Sequence, residues 1–445
     1  MKTLPTDGSA EKKIKIFGSC FMGLSHLLFL RDYLKGILFA LIEIGFIALL
    51  PVTIKKMIDL VTLGTPSKPG VPITQRDNSV FMLIDGILFI AIIAVFVILY
   101  VFSVKSAKKE YREYCRKGHF NSNKENVNTT LGKSFPIFGM APGFLIMLIF
   151  VVVPLIFSVA VAFTNYSAPD HIPAANTVDW VGFQNFKELL AGGTSWTKGF
   201  GKIAIWTLAW AVLSTFTCYF GGLLVAIQLR DIHVKIAPIF RFIFILPYAV
   251  PSVVSMLVWK NLLNGTFGVI NRTFRVLGFL APDATIPWLG TPLLAQIVCV
   301  IVNLWAGFGY FMLLSMGTMT AIPQDLYEAA TIDGASKFQI TRKITMPLVL
   351  YQTIPLIIMS FAHNINNFGA IYFLTGGSPN FTEPGLSTVT SAGATDILVT
   401  WIYKLTVDLQ KYGYASVIAV MIFIVLAPFA IWQFRQTKAY KEGEI

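Results

Sequence analysis

Three groups of uncharged polar residues stand inside apolar stretches in the second half of the chain. Tyr248, Ser252 and Ser255 follow one another at i, i+4 and i+7, which places them on one face of a helix. Asn303, Gly307 and Tyr310 repeat that spacing with Trp305 nearby; Asn364 and Asn367 are one turn apart beside His363, Asn366 and Phe368. None carries a fixed charge, since histidine is mostly neutral near pH 7. Amides both donate to and accept from hydroxyl groups, and aromatic rings cover apolar C–H faces. Together they suit a neutral polyhydroxylated ligand, whereas an ion or a charged amino acid would call for a compensating charge. The same residue types also tie membrane helices to one another, and spacing alone leaves both roles open.

Nothing in the sequence supports bond-making chemistry. The five histidines are dispersed, with no pair at metal-ligand spacing. Cys20, Cys115, Cys218 and Cys299 are scattered, without the pattern of a metal site or a disulfide framework. The stretch Val127–Ser134 ends in Gly-Lys-Ser, but Val127 stands where a phosphate-binding loop needs its first glycine, and no strand precedes it. The chain reads as a non-enzyme that binds no metal and no cofactor.

The elements that carry these groups are membrane helices. The chain is 55% hydrophobic and only 13% charged, with a mean hydropathy of +0.68; soluble domains carry about 25% charged residues. A bilayer core needs roughly 20 apolar residues per helix. Eight stretches qualify: Leu34–Val52, Val80–Phe102, Phe138–Phe163, Ile203–Leu229, Ile236–Trp259, Leu293–Gly317, Pro347–Phe368 and Tyr414–Phe434. The shorter run Phe17–Leu30 ends at Arg31-Asp32 and reads as an interfacial helix. No cleavable signal peptide is expected, because a polar start precedes the first apolar run and no small-residue cleavage pattern follows it. Pro247 and Pro251 in the fifth stretch and Gly307 and Gly309 in the sixth are expected helix breakers, either simple kinks or points of motion.

The net charge of +12 does not point to nucleic acid, because basic residues crowd into loops on one side of a bilayer. Lys105, Lys108, Lys109, Arg112, Arg116, Lys117, Lys124 and Lys133 follow the second stretch and mark that side as cytoplasmic. Counting spans from there puts both termini inside. Lys12 and Lys13 at the front, and Arg435, Lys438 and Lys441 at the back, agree. The linkers Asn165–Lys202, Asn261–Pro292 and Gly369–Gly413 then face out, and Gly376–Pro379 with Trp180, Phe183 and Phe186 are expected on the outer surface.

One inward-facing segment carries too much charge for hydrocarbon. Tyr327–Pro347 holds Glu328, Asp333, Lys337, Arg342 and Lys343. Pro323 suits a helix start, Gly334 a left-handed turn that ends it, and Ser336 the cap of a second helix running towards Ile344. Pro347 is expected to open the next span, where a missing N–H costs little. The outcome is a short helical hairpin, with Ala329 and Ala330 permitting close approach by another protein.

Glu328-Ala329-Ala330, Asp333-Gly334-Ala335, Ile344 and Pro347 fall at the spacing E-A-A-x3-G-x9-I-x-x-P. This resembles the EAA loop of permease subunits of binding-protein-dependent ABC importers. Thr341 and Met346 depart from the usual phenylalanine and leucine at packing positions. Ile245–Ser252, Asn303–Gly307, Asn364–Phe368 and Ala162–Ser167 are similar to stretches of the maltose/maltodextrin (MalF-like) type, over roughly Gly139 to the end. The Asn165–Lys202 linker is much shorter than the external insertion of the Gram-negative members.

The resemblance implies an all-α polytopic protein of the bacterial cell membrane with about eight transmembrane helices. Residues 136–445 would form a type I importer core of six helices with the coupling loop at 323–347. Residues 1–135 would hold a cytoplasmic N-terminus, two accessory helices and a basic linker. It implies sugar contacts at Tyr248, Ser252, Asn303, Trp305, Gly307, Tyr310, Asn364 and Asn367, with His363 where the type has a phenylalanine. It implies ATPase coupling through Glu328, Ala329, Ala330, Asp333, Gly334, Ile344 and Pro347. The partners implied are a MalG-like second permease, two ATP-binding subunits, which alone use ATP, an extracellular sugar-binding protein and the lipid bilayer. Two other readings stay open: an importer for raffinose-type or galacto-oligosaccharides, and an ion-coupled transporter using Glu43 and Asp85.

Overall fold

The computed structural model describes residues 8–66, 70–72, 75–120, 125, 132, 139–172, 176–231 and 236–436. Lys124, Lys133, Lys438, Lys441 and all of the Val127–Ser134 stretch but Gly132 lie outside them. The described residues are helical, apart from loops and two isolated bridges, Thr164 with Trp180 and Asn380 with Gly393. They form two compact units, Met1–Trp180 and Val181–Ile445.

The first unit holds α1 (Gly8–Cys20), α2 (Leu24–Leu28), α3 (Tyr33–Thr62), α4 (Ser79–Lys117) and α5 (Gly139–Val161). Helices α3, α4 and α5 are long and apolar enough to cross a membrane. The Asp32 side chain caps α3, and the Asn78 side chain caps α4. Of the basic residues after the second apolar stretch, Lys105, Lys108, Lys109, Arg112, Arg116 and Lys117 are not in a loop, because α4 runs on as helix to Lys117. The Phe17–Leu30 run is also not one interfacial helix. It breaks at Gly23, which takes φ 81°, and Ile14, Met22, Ser25 and His26 are buried while Ile16 and Leu28 stay exposed.

The intramembrane acids have structural partners. The Met22 N–H donates to the Glu43 carboxylate, and Lys56 pairs with Asp85 at 2.6 Å. Deeper in the unit, Lys35 bridges Asp32 at 3.2 Å and Glu110 at 2.5 Å. Buried charges of this kind persist only when paired.

The second unit comprises α6 (Gln184–Ala191), α7 (Ser195–Asp231), α8 (Ala237–Ala249), α9 (Ser252–Leu262), α10 (Val269–Val276), α11 (Pro292–Thr320), α12 (Gln324–Ile332), α13 (Lys337–Ile340), α14 (Met346–Ile365), α15 (Phe368–Leu374), α16 (Leu386–Thr390), α17 (Leu398–Val407) and α18 (Tyr412–Gln436). Half of α7's apolar stretch is buried, against 11% for α3, which makes α7 the central post of its unit. Trp210, Tyr219, Leu223, Val302, Phe311, Met312, Val349 and Ile371 build the core around it.

One expectation about helix breaks is borne out and two are corrected. The fifth stretch is two helices, α8 and α9, meeting at 91°. At about 1.5 Å per residue neither half is long enough to cross a 30 Å core alone. Pro251 is the cause, since it offers no N–H to the Pro247 carbonyl. The sixth stretch does not break at all: α11 runs through Gly307 and Gly309. Those glycines serve close packing, because a Cβ at Gly309 would lie 2.4 Å from the Phe244 carbonyl oxygen of α8. Pro347 does not open a helix either. The chain is helical from Lys337 through a π-turn at Thr341–Thr345 into α14, and such a wide turn accommodates the missing donor.

Candidate functional site

The bend between α8 and α9 opens a cavity of about 700 Å³, within the range of small-molecule sites. Its walls are the bend, the middle of α11, the C-terminal end of α14, and Cys218 of α7. Tyr248 and Ser252 flank the break, and the Tyr248 ring lies 5.4 Å from that of Tyr310. Asn303, Gly307, His363, Asn364 and Asn367 also stand at the wall. Among the described residues, no Asp, Glu, Lys or Arg lines the cavity.

The amides and the hydroxyls divide the work. Asn364 is buried; its side chain donates to Thr215 at 3.0 Å and its carbonyl accepts from the Trp210 indole at 3.1 Å. Asn367 caps α15, accepting from the Ala370 N–H at 3.3 Å. Asn303 is held weakly, its amide 3.6 Å from the Cys218 sulfur. By contrast the hydroxyls of Tyr248, Ser252, Tyr310 and Ser360 have no hydrogen-bond partner among the described residues. Ser255 Oγ is buried and equally unpartnered. Buried polar groups are normally satisfied, so Ser255 Oγ lacks a partner that a ligand could supply, while the exposed hydroxyls of Tyr248, Ser252 and Tyr310 are free to meet one. The cavity combines free hydroxyls, an exposed imidazole and a tyrosine pair, with amides fixing its walls.

Trp305 is not part of it. On a helix advancing about 100° per residue, position 305 points some 200° away from Asn303. Its ring packs edge-on against Trp259 at 5.3 Å. Ser360 and Met359 line the cavity without having been expected there; Ser360 lies four residues before Asn364, on the same helical face.

At the other end of this unit the charged segment forms the expected hairpin. Gly334 takes φ +74° between α12 and α13, a region costly for residues with a Cβ. Ser336 and Gln339 form a capping box at the start of α13. Glu328, Ala329 and Asp333 are exposed, Ala330 and Ile344 half-buried, and Pro347 exposed. Ile332 and Phe338 project apolar surface outwards, at 86% and 72% exposure. Tyr327, unremarked in the sequence, anchors the hairpin: Arg230 lies 4.0 Å over its ring, and its hydroxyl is 3.3 Å from Thr345.

Of the expected outer-surface residues, Phe183 is 72% exposed and packs on Phe186 at 5.6 Å. Trp180 donates to the Leu60 carbonyl within the first unit. Beside Gly377 lies a buried ion pair, Asp396 to Lys404 at 2.6 Å, with Asp396 also accepting from Gly393 N–H and Thr400 Oγ1. Burial pushes the Asp396 carboxyl above the usual carboxylate range, against the opposing pull of Lys404.

Residues 218–440 match the family described as binding-protein-dependent transport system inner membrane component. The galactooligosaccharides transport system permease protein GanP of Bacillus subtilis is 34% identical over 413 residues, 93% of this chain and 94% of that protein. The maltodextrin transport system permease protein MalC of Streptococcus pneumoniae is 32% identical over 420 residues, 92% of this chain and 93% of that one. Among solved structures, a bacterial alginate ABC transporter in complex with an alginate pentasaccharide-bound periplasmic protein aligns with a TM-score of 0.54 at 20% identity. That alignment covers 71% of this chain and 99% of the other and speaks to the fold alone.

Proposed function

Because the chain belongs to the family of binding-protein-dependent transport system inner membrane components, we propose that it lines the passage for maltodextrins in an ABC importer. It is a multi-pass bacterial membrane protein. In this reading it receives force from outside itself, through the exposed hairpin around Glu328 and Gly334. A separate pair of ATP-binding subunits hydrolyses ATP, a second permease completes the passage, and a sugar-binding protein delivers the ligand from outside. Residues 136–445 act as the translocating part, with both termini in the cytoplasm.

The observation that carries the substrate class is the uncharged cavity at the α8–α9 bend, with its partnerless hydroxyls and paired tyrosines. Oligosaccharides present many hydroxyls and apolar C–H faces, which such a wall complements. A charged substrate would leave its charge uncompensated in a wall of this kind. Galacto-oligosaccharides are the second reading, favoured by the likeness to GanP.

The test is uptake of labelled maltotriose by vesicles holding the complete complex. Competition by maltodextrins supports the first reading, and competition by galacto-oligosaccharides alone supports the second. Concentrative uptake by the isolated chain, without an ATP-hydrolysing partner, would overturn both.

A further inference from the structure

A second cavity, of about 800 Å³, opens beside the hairpin and is lined by side chains of a different chemistry. Arg230 at the end of α7 and Arg241 in α8 face it, with Met316 and Met319 of α11 and Tyr327 and Glu328 of α12. Neither arginine makes an ion pair among the described residues. Arg230 lies over the Tyr327 ring, its Cζ 4.0 Å from the ring centroid. The Arg241 Nε–H is buried and has no acceptor. Glu328, the one acid at the wall among the described residues, is engaged by the Gln324 amide at 3.0 Å, so among those residues two guanidinium groups face one carboxylate and the wall carries net positive charge.

We propose that this cavity binds the phosphate of an anionic phospholipid, with the guanidinium groups on the headgroup and the methionine side chains along the upper part of an acyl chain. Guanidinium matches phosphate in a bidentate, charge-assisted geometry. Basic pockets between membrane helices near the water boundary take anionic headgroups in this way. The position fits, because α11 ends at Thr320 and the polar hairpin begins directly after it, so the cavity lies where hydrocarbon gives way to water. The apolar side of the wall favours an amphiphile over a free anion. The inference needs only that the helices span a bilayer, and it is independent of the sugar reading.

The test uses the full chain purified in detergent and native mass spectrometry with added phosphatidylglycerol or phosphatidylcholine. Wild type should retain phosphatidylglycerol in preference to phosphatidylcholine. R230Q and R241Q should each weaken that retention about tenfold, the factor that corresponds to about 1.4 kcal/mol, and leave phosphatidylcholine unaffected. Equal retention of phosphatidylglycerol by the double variant would overturn the proposal. So would retention of inorganic phosphate in place of the lipid, since that makes the ligand a free anion. Loss of an ATP-hydrolysing partner from co-purified complexes, with lipid retention unchanged, would make the cavity a protein contact and overturn it as well. If the glutamine variants fold poorly, hydrogen exchange on wild type decides: phosphatidylglycerol but not phosphatidylcholine should slow exchange in residues 316–332, and no difference between the two lipids would count against the site.

Discussion

Replacing Gly309 by alanine should disturb the cavity through the backbone rather than through any ligand contact. An added Cβ there would meet the Phe244 carbonyl oxygen at 2.4 Å and Ile245 Cα at 3.2 Å. Ordinary contact begins at 3.4 Å, so α8 and α11 must part by about 1 Å at this point. Two other glycines of α11 calibrate the effect. At Gly317 nothing lies within 4 Å, and at Gly307 the nearest atom is the Cys218 sulfur at 2.9 Å, the end of a side chain. Alanine in a helix gains up to about 1 kcal/mol over glycine, while overpacking against an unyielding neighbour costs about 1–3 kcal/mol. Gly317→Ala should therefore be neutral or stabilising, Gly307→Ala close to neutral, and Gly309→Ala destabilising by about 1–2 kcal/mol net. The assay is the thermal unfolding midpoint of the three purified variants, followed by uptake in reconstituted vesicles. Uptake should fall most in Gly309→Ala, because Tyr310 is the adjacent residue and its 5.4 Å pairing with Tyr248 spans the same helix contact. A Gly309→Ala protein as stable as Gly317→Ala would refute the close-packing account.

Other consequences can be checked alongside. Trp305→Phe should leave sugar uptake near wild type while His363→Ala and Tyr310→Phe reduce it severalfold without loss of assembly; a reversed ranking would return Trp305 to the cavity. Gly334→Val should cost about 1–2 kcal/mol of local strain in the left-handed turn and, in the importer reading, uncouple ATP hydrolysis from uptake, whereas Gly334→Asn should be tolerated; equal behaviour of the two would refute a backbone requirement. Asp396 has a carboxyl raised above its unfolded value, so its contribution to stability is fully present below the ordinary carboxylate range and is lost as pH rises through the raised one. The unfolding midpoint of wild type should decline across that window relative to Asp396→Asn, and parallel profiles would show that the ion pair to Lys404 cancels the cost of burial.

Much of this protein is legible in the sequence because the signals are local. Apolar runs long enough for a bilayer mark α3, α4, α5, α7, α11, α14 and α18, since hydrocarbon demands length and apolarity from each segment by itself. The Ser336 cap and the Gly334 turn are likewise set by neighbours within a few residues. Helical periodicity also grouped Asn303 with Gly307 and Tyr310, which line one cavity; Tyr248 and Ser252 line it too, not on one helical face as expected but from α8 and α9 across the 91° bend. Periodicity applied more strictly would have set Trp305 apart.

What the sequence left open needed neighbours distant along the chain. Glycine in a helix reads as a breaker until the facing backbone is known; at Gly309 that backbone belongs to α8, more than sixty residues earlier. Amides and hydroxyls look alike as ligand contacts, and only their partners separate them, with Asn364 tied to Thr215 and Trp210 while Ser255 Oγ is left unpartnered. The acids Glu43 and Asp85 could have been proton sites, but Met22 and Lys56 engage them. Local rules fix which segments become helices, because backbone hydrogen bonds close within four residues. The chemistry of a cavity is set where helices meet, and that depends on which side chains remain free after packing has used the rest.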